Sequence, residues 1–301
     1  MIEEAKMNFK SVDAKPHKNK NVFPVICLIL LLFYALAILI PFYIMFITAL
    51  KTTKESMNPQ FTWWPQQGFS LEGFRRVLVD DMAGGGGKGS TILRGFGNTM
   101  LIIIPRVAVW VFVSALAAFA YAKMRFKSKK VLYGILLSTM FVPGTVLMIP
   151  SFIMWDSLYF TDTFVPLILP ACFGGPACVF FLRQFFTGIP DELLEAGRID
   201  GMGEFRLFLN IMLPLSMPAV IAQIVLGFVN GYNEYLGPLM YLQSPERYTL
   251  QLALRYYTST YANDYQAIMA GAFVALVPTI LLYVAAQKFF IEGIAMSGLK
   301  G

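Results

Sequence analysis

Histidine is nearly absent. The chain has one, His17, in a polar N-terminal stretch, too few for a histidine-based catalytic triad or a zinc site. Cysteine is scarce as well. Cys27, Cys172 and Cys178 all lie in apolar stretches, which reads as buried free thiols rather than a disulfide or metal set. Charged residues make up 14% of the chain, against about 25% in an ordinary soluble domain. The net charge of +6 is spread over segment ends. It forms no single basic patch with interleaved aromatics, so nucleic acid is not an expected partner. No cleavable signal peptide is expected, because the first apolar run, from Val22, is too long for a signal h-region.

What fills the chain is hydrophobic, 57% of it, and the mean hydropathy is +0.61. With 301 residues a soluble chain could bury an ordinary core, so size does not force this composition; a bilayer does. A spanning helix needs about 20 mostly apolar residues. Six stretches qualify: 21–50, 95–122, 131–155, 163–182, 207–233 and 265–287. The fifth is expected to span from about Pro214 to Met240. Only the second carries a charge, Arg106. Such segments must satisfy their backbone internally, so they are expected to be helices. Pro41, Pro105, Pro143 and Pro278 predict kinks rather than breaks.

Basic residues orient the chain. With the N-terminus inside, the inner segments hold 15 Lys and Arg and the outer ones 8, with Arg106 completing the 24. The short loop with Lys123, Arg125, Lys127, Lys129 and Lys130 is the strongest signal. The reading is a cytoplasmic tail 1–21, a first span 22–50, an outer loop 51–94, a core 95–290 and a cytoplasmic tail 291–301. In the outer loop, Phe61, Trp63 and Trp64 suit the headgroup level. The run Gly84 to Gly87 reads as a flexible tip. It is no phosphate loop, since Met82 and Gly89 stand where that motif needs Gly and Ser or Thr.

The inner loop 183–213 reads as two short helices. Pro190 fits a first helical turn, and Asp191 and Glu192 are acids at the positive end of the dipole. Gly201 is placed to end the helix left-handed. A second helix starts near Glu204, with Phe205, Phe208, Leu209 and Met212 at helical spacing. Ala196 and Gly197 give the first helix a flat spot where another surface can approach. The alternative is an amphipathic helix resting at the membrane interface.

Glu195-Ala196-Gly197, then Asp200-Gly201, then Leu213-Pro214 resembles the EAA loop of ATP-binding-cassette (ABC) importer permeases. Asn98-Thr99, the run Ala118 to Ala122, Tyr232-Asn233, the run Pro245 to Leu250 and the ending Gly298-Leu299-Lys300-Gly301 resemble the smaller permease of maltose-type carbohydrate importers. The resemblance implies an all-α membrane protein with six transmembrane helices, the type I ABC importer permease fold, in the bacterial inner membrane with both termini cytoplasmic. It implies that Glu195, Ala196, Gly197, Asp200 and Gly201 couple to an ATPase, and that Gly298, Leu299, Lys300 and Gly301 reach it. The implied partners are a second permease subunit, two ATPase subunits, an extracytoplasmic solute-binding protein and the lipid bilayer. The chain binds no cofactor of its own; ATP and Mg belong to the ATPase. Two departures stand out. Gly197 replaces the third residue, Ala, at a helix cost of about 1 kcal/mol, and Tyr232 stands where the family often has Trp.

Asn230, Tyr232, Asn233, Glu234 and Tyr235 form a polar-aromatic cluster that suits a sugar path. The same residues also suit interhelical hydrogen bonds and an interfacial aromatic belt. Arg106 lies deep in its span, where a charge usually faces the bundle interior. It is open to contact with an anionic substrate, to pairing with Glu234, or to bonding carbonyls freed by Pro105. Asp156 and Asp162, with Trp155, are candidates for the outer mouth. The alternatives are a permease for another solute, such as glycerol-3-phosphate or an anionic saccharide, and an ion-coupled carrier. Spans without charged middles argue against the carrier.

Overall fold

A computed structural model of the protein describes residues 22–79, 90–260 and 264–298. The N-terminal tail, the run Gly84 to Gly87 and Leu299 to Gly301 lie outside the described residues. Every regular element described is helical. The chain divides into two units, Met1–Ile44 and Met45–Gly301.

Helix α1 (Val22–Ala49) makes up the described part of the first unit and ends in the second. Nearly all of its side chains from Pro24 to Tyr43 are exposed and apolar. A helix apolar on every side belongs in lipid. Pro41 leaves it continuous. The cysteines correct the expectation in part. All three are free, but only Cys178 is buried; Cys27 is half-buried and Cys172 exposed. In an apolar medium an outward thiol behaves as a small hydrophobe, so apolar sequence context alone did not mean burial.

In the second unit, α2 (Thr53–Ser56) is capped by Thr52, whose hydroxyl accepts the Glu55 amide. The chain then wraps around the buried Glu55 carboxylate, which accepts from Thr62 Oγ1 at 2.8 Å and from the Gln66 and Gln67 amides at 2.9 and 3.2 Å. Burial pulls that carboxyl up, but these donors and Lys51 hold it below the usual range. Lys51 donates to the Thr62 carbonyl at 2.6 Å and lies over the Phe61 ring. The start of the loop is therefore a built structure, with Trp63 and Trp64 exposed on it. Helix α3 (Glu72–Val79) follows.

Helix α4 (Thr91–Lys123) is capped by Ser90 and passes through Pro105 unbroken. Helices α5 (Lys129–Thr139) and α6 (Met148–Ser157) are joined through a 3-10 turn, Gly144–Leu147, and the pair bends by 84°. Pro143 thus sits at a break, not a kink. It offers no amide to continue α5, and it disfavours helical backbone in the residue before it. Next come α7 (Val165–Ile168), a 3-10 turn, and α8 (Pro176–Thr187). Helices α9 (Glu192–Ile199) and α10 (Glu204–Leu207) form the loop element. A π turn at Phe208–Met212 and α11 (Leu213–Leu215) lead into α12 (Met217–Tyr232) across a bend of 82°.

The fifth span ends earlier than the expected Met240. Helix α12 stops at Tyr232, and α13 (Leu236–Tyr241) restarts beyond it. Pro238 explains the interruption: in a continuous helix its ring would clash with the carbonyl four residues back, at Glu234, whereas it fits the first turn of a new helix. Helices α14 (Leu250–Thr260) and α15 (Tyr265–Gly298) close the chain, with Pro278 inside α15. Among the described residues, four helical runs are long and apolar enough to cross a membrane, and six if each bent pair counts as one.

The core surrounds α4. Val107, Val111, Ala115, Ala118 and Phe119 pack with Cys178, Leu182 and Phe186 of α8, with Phe208 and Met212, and with Val220 and Tyr232 of α12. Small residues allow the close approach of α12. A Cβ on Gly227 would lie 3.0 Å from Trp110, and one on Gly231 would lie 3.3 Å from Ile103. This is the small-residue spacing that lets helices pack closely in a bilayer.

Candidate functional site

A cavity of about 570 Å3 opens beside α4, within the range of about 300–1,000 Å3 typical of ligand pockets. Helix α4 supplies Arg106 and Trp110. The segment 166–174 supplies Pro166, Pro170 and Gly174. Helix α12 and its interrupted end supply Asn230 and Glu234, and α13 supplies Tyr241. Two cluster residues expected on the path, Asn230 and Glu234, line it together with Arg106. Tyr232, Asn233 and Tyr235 do not. The Tyr232 side chain is buried, and its hydroxyl donates to the Ala275 carbonyl at 2.7 Å. It ties α12 to α15. Asn233 donates back to the Val229 carbonyl at 2.9 Å, closing the end of α12. Tyr235 packs beside the buried Trp155, Leu167 and Tyr241.

Of the three partners open to Arg106, the structure gives it Glu234, through Nη1 to Oε2. About a third of each side chain remains exposed, 33% and 31%. Each group therefore keeps hydrogen-bonding capacity toward the cavity beside the pair it makes. Glu234 stands in the interruption after Tyr232, on the side that Gly227, Asn230 and Gly231 present to the cavity, and Gly237 leaves room for it: a Cβ there would lie 2.5 Å from Glu234 Oε1.

Trp110 is the wall residue that the sequence reading missed. Its indole fits between two glycines. A Cβ on Gly175 would lie 2.1 Å from its Nε1, and one on Gly227 would lie 3.0 Å from its ring. Gly174 before it has φ of 73°, and Ser114 Oγ accepts the Gly175 amide at 2.9 Å. The signal in the sequence was the pair Gly174-Gly175, which marks backbone that a bulky neighbour crowds.

The second region is the α9 element. Gly201 closes α9 with φ of 80°, as expected for a left-handed end. Gly197 behaves differently from the expectation. It is buried, and a Cβ would lie 2.5 Å from Leu207 Cδ2 and 2.9 Å from Ile211 Cδ1. Its bare backbone serves close packing inside the chain, not an approach from outside. The outward side carries Leu193, Glu195, Ala196, Ile199 and Asp200, all exposed, with Ile199 at 86%. Leu193 and Ile199 were absent from the expected set, although they fall three residues either side of Ala196 on one helical face. Arg198 bonds Glu204 at 3.0 Å, joining α9 to α10. Lys123, at the end of α4, donates to the Ile189 carbonyl at 2.6 Å and to Asp191 at 2.5 Å. That bond and charge hold the Asp191 carboxyl below its usual range. Gly298 ends α15, and the rest of the expected tail site lies outside the described residues.

Residues 110–295 match the family described as binding-protein-dependent transport system inner membrane component. The arabinooligosaccharides transport system permease protein AraQ of Bacillus subtilis (strain 168) is 35% identical over 213 residues, 71% of this chain and 75% of that protein. The lactose transport system permease protein LacG of Rhizobium radiobacter is 31% identical over 198 residues, 66% and 72% of the two chains. The sn-glycerol-3-phosphate transport system permease protein UgpE of Yersinia pestis bv. Antiqua (strain Antiqua) is 29% identical over 93% of this chain and 99% of that one. A chain in the crystal structure of a bacterial ABC transporter involved in the import of the acidic polysaccharide alginate superposes with a TM-score of 0.77 at 20% identity, covering 91% of this chain and 98% of that one. That likeness is one of fold.

Proposed function

Because the chain belongs to the family of binding-protein-dependent transport system inner membrane components, we propose that its cavity lies on the path of an imported sugar or oligosaccharide. The protein is a multi-pass inner membrane permease subunit and not an enzyme. The observation that carries the sugar reading is the wall of the cavity. An aromatic face, Trp110, stands with a donor, Arg106, an acceptor, Glu234, and an amide, Asn230. Sugars present apolar ring faces and hydroxyls that both give and accept hydrogen bonds, and such a wall meets both needs. The arabinooligosaccharide and lactose permeases among the relatives support the same class.

In this reading the α9 element faces the cytoplasm and docks on an ATPase subunit through Leu193, Glu195, Ala196, Ile199 and Asp200. Gly197 and Gly201 shape it from within. Two ATPase subunits hydrolyse ATP with Mg, a second and different permease completes the pathway, and a solute-binding protein delivers cargo outside. Both termini are cytoplasmic. Lys123 supports this picture by pinning the start of the element to the end of α4, the helix that also carries Arg106 and Trp110. A glycerol-3-phosphate path is the weaker reading, since the cation that would hold a phosphate is already paired. The test is a solute panel on the assembled complex with its binding protein: arabinotriose, lactose, trigalacturonate and glycerol-3-phosphate. Saccharide-stimulated ATP turnover is expected. Stimulation by glycerol-3-phosphate alone would sink the sugar assignment.

A further inference from the structure

The charge balance of the cavity separates uncharged from acidic sugars. Among the lining residues only Arg106 and Glu234 carry charge at neutral pH, and they are bonded to each other. The wall is therefore neutral overall while remaining strongly polar. Arg106 has five N–H donors, of which one pair bond uses few, and the Glu234 carboxylate keeps free lone pairs. Both groups can still bond hydroxyls.

We infer that this subunit itself binds the solute in this cavity, and that the cavity selects an uncharged saccharide against an anionic one; the inference rests on the sugar reading above. An unpaired Arg would grip a carboxylate or phosphate with two parallel bonds. Here the chain supplies its own carboxylate, so an anionic ligand must displace Glu234 or stand beside it. Like charges in such a site are repelled, and that repulsion rejects wrong partners. Gly237 is part of the device, because a side chain there would push the Glu234 carboxylate out of place. Trp110, held edge-on by Gly175 and Gly227, gives a fixed apolar face. Large flat side chains of this kind bind at low entropic cost.

The test measures equilibrium binding of radiolabelled arabinotriose and trigalacturonate to the nucleotide-free assembled complex in nanodiscs, without the binding protein. In the unmodified complex arabinotriose is expected to bind at least about tenfold more tightly, which corresponds to 1.4 kcal/mol. Glu234→Gln leaves Arg106 uncompensated, so trigalacturonate should gain at least about tenfold. Asn230→Lys adds a positive charge while keeping the pair, and it should shift preference the same way; it decides the matter if Glu234→Gln fails to assemble. Equal binding of the two probes by the unmodified complex, or no shift in an assembled variant, overturns the inference. If saccharide-stimulated ATP turnover persists in that case, the sugar reading survives and only the selectivity of this cavity is lost. If no saccharide binds or stimulates, both fall.

Discussion

Replacing Gly175 with Ala isolates a single contact. Gly175 has φ of −140° and ψ of 127°, extended backbone that any residue adopts. It precedes Pro176, which also favours that conformation. Alanine therefore costs nothing in backbone strain, and the whole effect must come from space. The added Cβ would lie 2.1 Å from Trp110 Nε1 and 2.8 Å from Cε2. An indole is rigid, so the neighbour cannot give at its tip as a long aliphatic chain can. Overpacking of this kind costs about 1–3 kcal/mol when the ring stays. Gly227 on α12 flanks the opposite edge, where an added Cβ would lie 3.0 Å from the ring, so a displaced ring must either press on the α12 backbone or turn away from its place in the cavity wall. Either way saccharide uptake into proteoliposomes should fall, with a lower melting temperature if the ring stays and normal melting if it swings. Trp110→Phe removes the crowded five-membered ring, so Gly175→Ala should cost markedly less in that background. Unchanged uptake and melting in Gly175→Ala would refute the wedge, and a full additive loss in the double variant would place the damage elsewhere.

Three further outcomes follow from the other region and the outer loops. Lys123→Met removes a charge-assisted bond to the Ile189 carbonyl, worth about 1.5–3 kcal/mol, and a solvent-screened one to the exposed Asp191; solute-stimulated ATP turnover should drop while arabinotriose binding to the complex stays intact, and loss of both would argue for general unfolding. At Gly201 no atom lies within 4 Å of an added Cβ, so only the φ of 80° demands glycine; valine should cost about 1–2 kcal/mol and sharply reduce stimulated turnover, whereas asparagine should be far milder. Equal damage from both would point to a partner contact instead. Asp162 accepts from the Gln243 and Ser244 amides and pairs with Arg247 at 2.9 Å. Burial pulls its carboxyl up, yet the Ser244 hydroxyl, these amides and Arg247 hold it below the usual range. A depressed carboxyl stabilises the fold above its unfolded value of about 3.9 and loses that contribution as pH falls through the folded value. The melting-temperature gap between wild type and Asp162→Asn should therefore be full at pH 5 and shrink toward pH 3. Asparagine tolerates the positive φ of 54° at this position, so the comparison reads the carboxylate and the bonds it accepts, not backbone strain.

The spans were legible because lipid leaves little choice: long apolar runs must be helices. The breaks were less so. Pro41, Pro105 and Pro278 stay inside helices, whereas Pro143 and Pro238 mark interruptions. Proline chemistry is the same in all five, so the residue alone does not separate a kink from a break; what surrounds it in the fold does. Glu234 and Arg106 were legible as a possible pair because unpaired charge inside a membrane is expensive. Trp110 was not, since one indole on an apolar helix looks like any core residue until its glycine neighbours are placed around it. Gly197 shows the limit of propensity. In a helix taken alone, glycine is a loss of about 1 kcal/mol against alanine, but Leu207 and Ile211 fill the space where a methyl would go.

The interruptions also bear on the polar character of the cavity. Two breaks border it: Gly174 and Gly175 ahead of α8, and 233–235 between α12 and α13. A helix start leaves amides, and a helix end carbonyls, without an intrahelical partner. Side chains meet part of that need, as Ser114 does for the Gly175 amide. Irregular backbone at membrane depth survives only where protein buries it or water reaches it. The partly exposed Arg106 and Glu234 stand at the same place, and charged groups inside a bilayer obey the same rule. Backbone breaks and charged side chains thus fall together beside α4, where one polar cavity accommodates both. A packed apolar core would need neither break, nor the Arg106–Glu234 pair that stands beside them.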